Sequence, residues 1–256
     1  MHSRNYLVPL HKGRTEVDFH LSVDCVIFSI RDKNLHLLLN RMEPVRKWML
    51  PGGFMFRNED ADQAAGRILK LRTGVERVYL NQFKIFSDPR RFSFHEETRK
   101  FPLTPEEDAL LEHLPDRVIS IGYFALVDFQ SVTVTGGDFR EETCWCPLES
   151  LPEMEFDHAE IVGEALRALR KEVQFSPILY RLLPEKFTLP ELQNLYEIVL
   201  GRPLERSAFQ RKVLRWGIFL RLDERKEGVA HKRPYLYRFE AEAFRMAREN
   251  GRSFGM

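Results

Sequence analysis

The chain is 256 residues long, 43% hydrophobic and 12% aromatic, enough to bury one large core or two smaller ones, and two domains are expected. Its 39 Lys and Arg against 38 Asp and Glu leave a formal net charge of +1, so the chain as a whole carries no signal for nucleic acid or membrane, and any basic surface must be local. No run of about 18 apolar residues marks a membrane span, and Met1 to Val17, polar and broken by Pro9 and Gly13, lacks the apolar segment of a secretory signal; a soluble cytoplasmic protein is expected.

Leu21–Ile30 and Leu35–Leu39 are short, apolar, β-branched runs separated by the turn-like Arg31-Asp32-Lys33-Asn34, the pattern of a hairpin. Cys25 lies in the first run. Cys144-Trp-Cys146 has no second Cys or His pair at zinc spacing, so these thiols read as strand residues, with no metal and no cofactor implied. Pro51-Gly52-Gly53 breaks the chain before a helix starting near Asp60, whose Ala61, Ala64, Ala65, Ile68 and Leu71 fall on one stripe. Strands are expected around Val78–Phe86 and Val118–Val127. Between them, Arg90–Asp116 is charged, holds three prolines, and reads as an insertion with a short helix capped at Thr104-Pro-Glu-Glu107.

Asp157-His-Ala-Glu160 reads as a capping box opening a helix to about Glu172, with Ile161, Ala165, Ala168 and Leu169 on its buried side. His158 is a lone histidine at a helix start, and a ligand role is the weaker reading. The texture then changes. Thr188-Leu-Pro-Glu191 caps a helix ending at Gly201, and Ser207-Ala-Phe-Gln210 caps another ending at Gly217. Two strand-like runs follow, Ile218–Leu222 and Tyr235–Phe239. Together these predict a helix-turn-helix with a β-wing, and a division of the chain into residues 1–156 and 157–256.

The segment Gly201–Phe239 contains 11 Lys and Arg against 4 Asp and Glu, a local excess of 7 positive charges. Such a concentration attracts a phosphate backbone. In the helix after Ser207, Phe209, Val213 and Trp216 form a buried stripe, while Arg211 and Arg215 share the opposite face with Gln210 at its edge. On a recognition helix that face would meet the major groove, where Arg pairs with guanine and Gln with adenine. Arg206, Ser207, Gln210, Arg211, Lys212 and Arg215 are the candidate helix contacts, and Lys232, Arg233 and Tyr235 those of the wing. Leu214 points outward with no polar explanation.

From Gly52 to Val75 the spacing resembles the Nudix box: Gly, five residues, Glu, seven residues, then Arg-Glu-aliphatic-any-Glu-Glu-any-Gly-aliphatic. Gly53, Glu59, Arg67, Leu69, Gly74 and Val75 fit; the remaining glutamate positions hold Ile68, Leu71 and Arg72. The resemblance implies a mixed β-sheet in an α/β/α sandwich, within an α+β protein. In Nudix hydrolases the helix glutamates hold divalent cations that activate water on a diphosphate, whereas Ile and Leu offer no oxygen ligand and Arg72 would repel a cation. A domain that has lost hydrolysis and senses a ligand is therefore expected, with Arg72 bonding an anionic group directly. Arg41, Gly52, Gly53, Phe54, Glu59, Phe86, Arg90 and Arg91 are the other candidate ligand-site residues.

With the stretches "LLPEKFTLPELQNLYEIVLG", "FQRKVLRWG" and "RPYLYRF", the chain resembles the Nudix-related transcriptional regulators of the NrtR and AraR type. That resemblance implies a homodimer on a palindromic double-stranded DNA operator, responsive to a sugar or an ADP-ribose-like effector, with no membrane partner. The competing expectation is a metal-dependent Nudix hydrolase of a nucleoside diphosphate derivative, with metal ligands recruited from elsewhere, for instance Glu96-Glu97 in the insertion.

Overall fold

The computed structural model describes residues 20–41, 47–75, 78–91, 117–132, 142–228, 233–252 and 254. The first hairpin forms as expected, β1 (His20–Arg31) pairing antiparallel with β2 (Asn34–Arg41). Asp32 and Lys33 both take positive φ at its tip, which matches the right-handed twist of the flanking strands. Near Asp24, β3 (Gly52–Phe54) takes the edge of β1 in place of β2, pairing Asp24 with Gly52. The other edge of β1 is parallel to β5 (Val118–Leu126), which pairs in turn with β4 (Tyr79–Phe86); β6 (Glu142–Pro147) closes the far side on β2. The strand order is thus β4-β5-β1-β2-β6.

A central strand covered on both faces reads as a continuous apolar run, and β1 is buried from Ser22 to Ser29. Val23, Cys25 and Ile27 face α1 (Ala61–Thr73), whose Ala64 and Ala65 let the helix lie close on the sheet. Asp60 and Gln63 form its capping box and Gly74 closes it in the left-handed region. Its buried stripe differs from the expected one. Leu69, Arg72 and Thr73 turn inward, while Leu71 is 55% exposed, because a 3.6-residue period rotates a straight stripe off the i+10 position.

On the opposite face Val26, Phe28, Phe124 and Leu126 pack against α2 (His158–Phe175) through Ile161, Ala165 and Leu169, completing an α/β/α sandwich. Ala168 is only partly buried. The same core continues without interruption into the C-terminal unit. There α3 (Leu189–Leu200) is closed by the Thr188–Glu191 capping box and by left-handed Gly201, and α4 (Arg206–Arg215) follows it. A small sheet orders β7 (Lys186–Phe187), β9 (Tyr235–Phe239) and β8 (Phe219–Arg225), giving the expected winged helix-turn-helix. A further helix absent from the sequence expectations, α5 (Ala241–Glu249), buries Ala247 and packs Phe244 on Phe239.

Two expected caps are built differently. Asp157 makes no side-chain cap on α2, since its carboxylate is engaged by Arg91. Helix α4 is capped by Glu205, which accepts from the backbone N–H groups of Ser207 at 2.8 Å and Ala208 at 2.5 Å, so Ser207 lies inside the first turn. A carboxylate suits the positive end of a helix better than a hydroxyl does. Thr104–Glu107, Glu96, Glu97 and Lys232 lie outside the described residues.

Candidate functional site

The frame of the box is held by an ion pair. Arg67 donates from Nε to Glu59 Oε2 at 2.9 Å and from Nη2 to Glu59 Oε1 at 2.6 Å, and Nη2 also reaches the Phe54 carbonyl at 3.0 Å. The guanidinium lies 4.0 Å from the centre of the Phe56 ring. The hydrogen bonds from Arg67 hold the Glu59 carboxyl below its ordinary range, and the Phe56 N–H adds to the effect. Glu59 therefore braces the loop, with both oxygens committed to protein donors.

The positions without glutamate separate in space. Ile68 is 2% exposed in the core under the sheet, its Cδ1 facing Gly53; Leu71 points to solvent; Arg72 lies on the buried side of α1 with 9% exposure. Among the described residues no group of three or more His, Cys, Asp or Glu side chains is placed to hold a metal ion. The described residues of this surface can bind through their backbone and through basic or aromatic side chains.

On the α2 face of β1 lies a buried charged cluster. Asp24 Oδ2 accepts from Ser120 Oγ at 2.5 Å and from Arg91 Nη2 at 3.3 Å. Arg91, with only 4% of its side chain exposed, also grips both oxygens of Asp157, each at 2.8 Å. His158 Nδ1 accepts from the Leu50 N–H at 3.0 Å and its Nε2 stands 3.7 Å from Asp24 Oδ1. Burial outweighs the neighbouring carboxylates and lowers the histidine pKa, so the ring is neutral at pH 7. A Cβ on Gly52 would fall 2.5 Å from Asp24 Oδ1 and 2.9 Å from the Val23 carbonyl oxygen, so glycine there is a condition of the cluster. The cluster joins β1, β3, β5, the turn after β4 and the first turn of α2.

In the winged helix, Glu197 Oε1 accepts from the Leu204 N–H and from Gln193, which also donates to the Leu204 carbonyl, fixing the turn between α3 and α4. Phe209, Val213 and Trp216 anchor α4 in the core. Arg206, Ser207, Arg211, Lys212, Leu214 and Arg215 are exposed, and Gln210 is half-buried at the edge of their face. On the wing, Arg225 donates to Tyr235 Oη at 2.7 Å and to the Arg233 carbonyl at 3.0 Å. The guanidiniums of Arg225 and Arg221 lie 4.0 and 4.7 Å from the Tyr235 ring centre.

The NUDIX domain family matches residues 18–169, and the NrtR DNA-binding winged helix domain matches residues 179–239. Over 232 residues, 88% of this chain and 83% of the relative, the sequence is 31% identical to the ADPR responsive transcriptional repressor NtrR of Acinetobacter baylyi. The chain belongs to the NrtR family. The fold agrees with the crystal structure of Shewanella oneidensis NrtR complexed with a 27mer DNA, at a TM-score of 0.67, 24% identity, and coverage of 87% of this chain and 94% of that one. A MutT/nudix family protein from Enterococcus faecalis superposes at a TM-score of 0.64 with 21% identity, covering 88% and 90% of the two chains.

Within this NrtR-family chain the nine candidate ligand residues fall into different roles. Gly52, Gly53 and Phe54 form β3, and Arg41 ends β2 at the same end of the sheet, ion-paired with Glu142 and lying over Trp48. Phe54 is partly exposed against His20, and Arg90 extends into solvent from the Asp88 turn. Phe86 belongs to the core instead: it meets Phe83 edge-on, and Gly122 leaves the room both rings need. Arg91, also a candidate ligand-site residue, is likewise buried and serves as a structural cation.

Asp24, Ser120 and Asp157 were missed as a unit, although an aspartate inside the apolar run "LSVDCVIFSI" is itself a sign of a buried partner. Arg221 and Arg225 were read only as charges, yet they position Tyr235. No helix among the described residues is long and apolar enough to cross a membrane.

Proposed function

We propose that this NrtR-family chain is a DNA-binding transcriptional repressor in the cytoplasm, acting as a homodimer on a palindromic operator and released or retained by ADP-ribose or a closely related nucleotide sugar. The observation that carries the reading is the outward face of α4, where Arg206, Arg211, Lys212 and Arg215 stand exposed above an anchored core on a helix-turn-helix that continues the core of a Nudix sheet. The effector class is supported by the relative, which is named as ADPR responsive. Arg211 and Arg215 are assigned to base edges and Arg206, Ser207, Lys212, Arg233 and Lys232 to phosphates, with Gln210 reading adenine and Tyr235 held against the backbone by its two arginines.

The Nudix domain binds and does not cleave. Supporting this, Glu59 is occupied by Arg67, and Ile68, Leu71 and Arg72 stand where the family's metal-binding glutamates would be. Arg41, Phe54 and Arg90 are the side chains assigned to effector contact, with Gly52 and Gly53 offering backbone and Arg72 a charge beneath the surface. Residues 1–156 act as the sensing unit, and α2 is the lever that opens the 157–256 unit. A gel shift on the gene's own upstream DNA tests the reading: salt-steep binding that changes with ADP-ribose is expected, with no product released from ADP-ribose in magnesium. No DNA binding overturns the regulator, and magnesium-dependent product release overturns the non-hydrolytic sensor.

A further inference from the structure

Among the described residues strand β6 is an edge strand, paired with β2 on one side, with Cys144 opposite Leu39 and Cys146 opposite Leu37. Residues two apart share a face of a strand. These two thiols share the face that looks into the core between the sheet and α2, and their sulfur atoms are 2.8 Å apart. A disulfide needs about 2.05 Å, so roughly 0.8 Å of approach separates the contact from a bond. The Cα atoms of residues two apart in a strand span about 6.7 Å, at the long end of what a disulfide bridges, and closing the bond puckers the strand. An edge strand has only one ladder to resist this, and Cys144, partly exposed, admits a small oxidant.

From this juxtaposition we propose that Cys144 and Cys146 are a reversible oxidation site, forming an intramolecular disulfide with a peroxide or a low-molecular-weight disulfide as oxidant. With hydrogen peroxide, the Cys144 sulfur attacks one peroxide oxygen, the O–O bond breaks, and a sulfenic acid and one water form. The Cys146 sulfur then displaces the hydroxyl from the Cys144 sulfur, and the two thiol protons end in the two waters released. Two electrons pass from the sulfurs to the peroxide. Reduction by a monothiol proceeds by exchange through a mixed disulfide.

The third thiol serves as an internal control. Cys25 is wholly buried under α1, in the core on the opposite face of the sheet from Cys144 and Cys146. The first rung of the β2–β6 ladder, Arg41 opposite Glu142, is two residues from Cys144, so the pucker reaches the sheet end where Arg41 stands.

Full-length protein treated with hydrogen peroxide, and in parallel with oxidised glutathione, is read by intact mass and peptide mapping. The expected result is loss of two hydrogens from the monomer, with one peptide carrying a Cys144–Cys146 bond, Cys25 still open to alkylation after unfolding, and recovery of the original mass with dithiothreitol. Cys25→Ser keeps the mass loss, while Cys144→Ser and Cys146→Ser each abolish it. Cys144 and Cys146 both alkylated after either oxidant, or joined only between two chains, overturns the proposal. Because the readout is covalent, it stands apart from whether the protein binds DNA or ADP-ribose.

Discussion

Replacing Arg91 with alanine isolates the buried cluster. Its guanidinium serves two carboxylates of unequal burial: Asp24, 9% exposed in its side chain, and Asp157, 17% exposed. Breaking a buried ion pair by removing one partner costs about 3–5 kcal/mol, because the charge left behind is dehydrated and unpaired. Here most of that falls on Asp24, which keeps the Ser120 hydroxyl and, 3.7 Å from its other oxygen, the neutral His158 ring. Asp157 sits at the start of α2, where a released carboxylate can turn to cap the helix and recover about 1 kcal/mol. The expected net loss is therefore about 2–4 kcal/mol, measured by urea denaturation. Adding Asp24→Asn removes the stranded charge, so the double variant should be more stable than Arg91→Ala alone, giving a coupling of at least about 1 kcal/mol in a double-mutant cycle. A loss below about 1 kcal/mol for Arg91→Ala, or a double variant in which the two losses simply add, would refute the account.

Gly52→Ala should cost about 1–3 kcal/mol, since its new methyl meets a carboxylate and a backbone carbonyl oxygen that a packed strand cannot move aside; a neutral result in the same urea assay would show β3 to be loosely held. Substituting Arg211 and Arg215 together with alanine should weaken operator binding by about tenfold or more, as each bidentate base contact is worth about 1–3 kcal/mol, while leaving thermal stability unchanged because both side chains are exposed. Unchanged affinity by fluorescence anisotropy would remove α4 as the recognition helix. The Glu205 cap gives a pH signature: the backbone N–H groups of Ser207 and then Ala208 lower its pKa, so its contribution to α4 is present above the ordinary glutamate range and is lost as pH falls through the lowered value. Glu205→Ala should flatten that part of the acid unfolding curve, and an unaltered curve counts against the cap. The oxidation rate of Cys144 should rise about tenfold per pH unit from pH 7 to 9, since burial first, then Cys146 and Glu142, against the opposing pull of Arg41, push its pKa up to about 12 and the thiolate is the nucleophile. A rate that levels off near pH 9 would show an ordinary thiol.

Legibility in the sequence followed the range of the forces involved. The β1–β2 turn, the Thr188–Glu191 cap and the stops at Gly74, Gly201 and Gly217 are settled within four residues of chain, and all are where local chemistry places them. The buried stripe of α4 was equally legible, because Phe209, Val213 and Trp216 leave little choice of face. What failed depended on distant partners. Asp157 looked like a cap until Arg91, 66 residues away, claimed its carboxylate. Phe86 looked like a candidate ligand contact because nothing nearby shows that Gly122, on the neighbouring strand, leaves space for it. The Cys144–Cys146 contact was missed for another reason: zinc spacing was sought, and two thiols on one strand face do not match it.

The box keeps its frame without the helix glutamates of the family pattern. Two of its parts do mechanical work here, as Glu59 and Arg67 tie the loop to the helix and small residues set α1 on the sheet. Neither requires a metal. The residues at the glutamate positions differ in their surroundings: Ile68 faces the core and is apolar, while Leu71 is 55% exposed. Restoring glutamate at 68 would bury a carboxylate against Gly53 and the α1 face of the sheet, so the path back to a cation site now passes through a loss of stability. The Glu59–Arg67 pair and the packing of α1 on the sheet therefore account for the spacing of the box without reference to an ion.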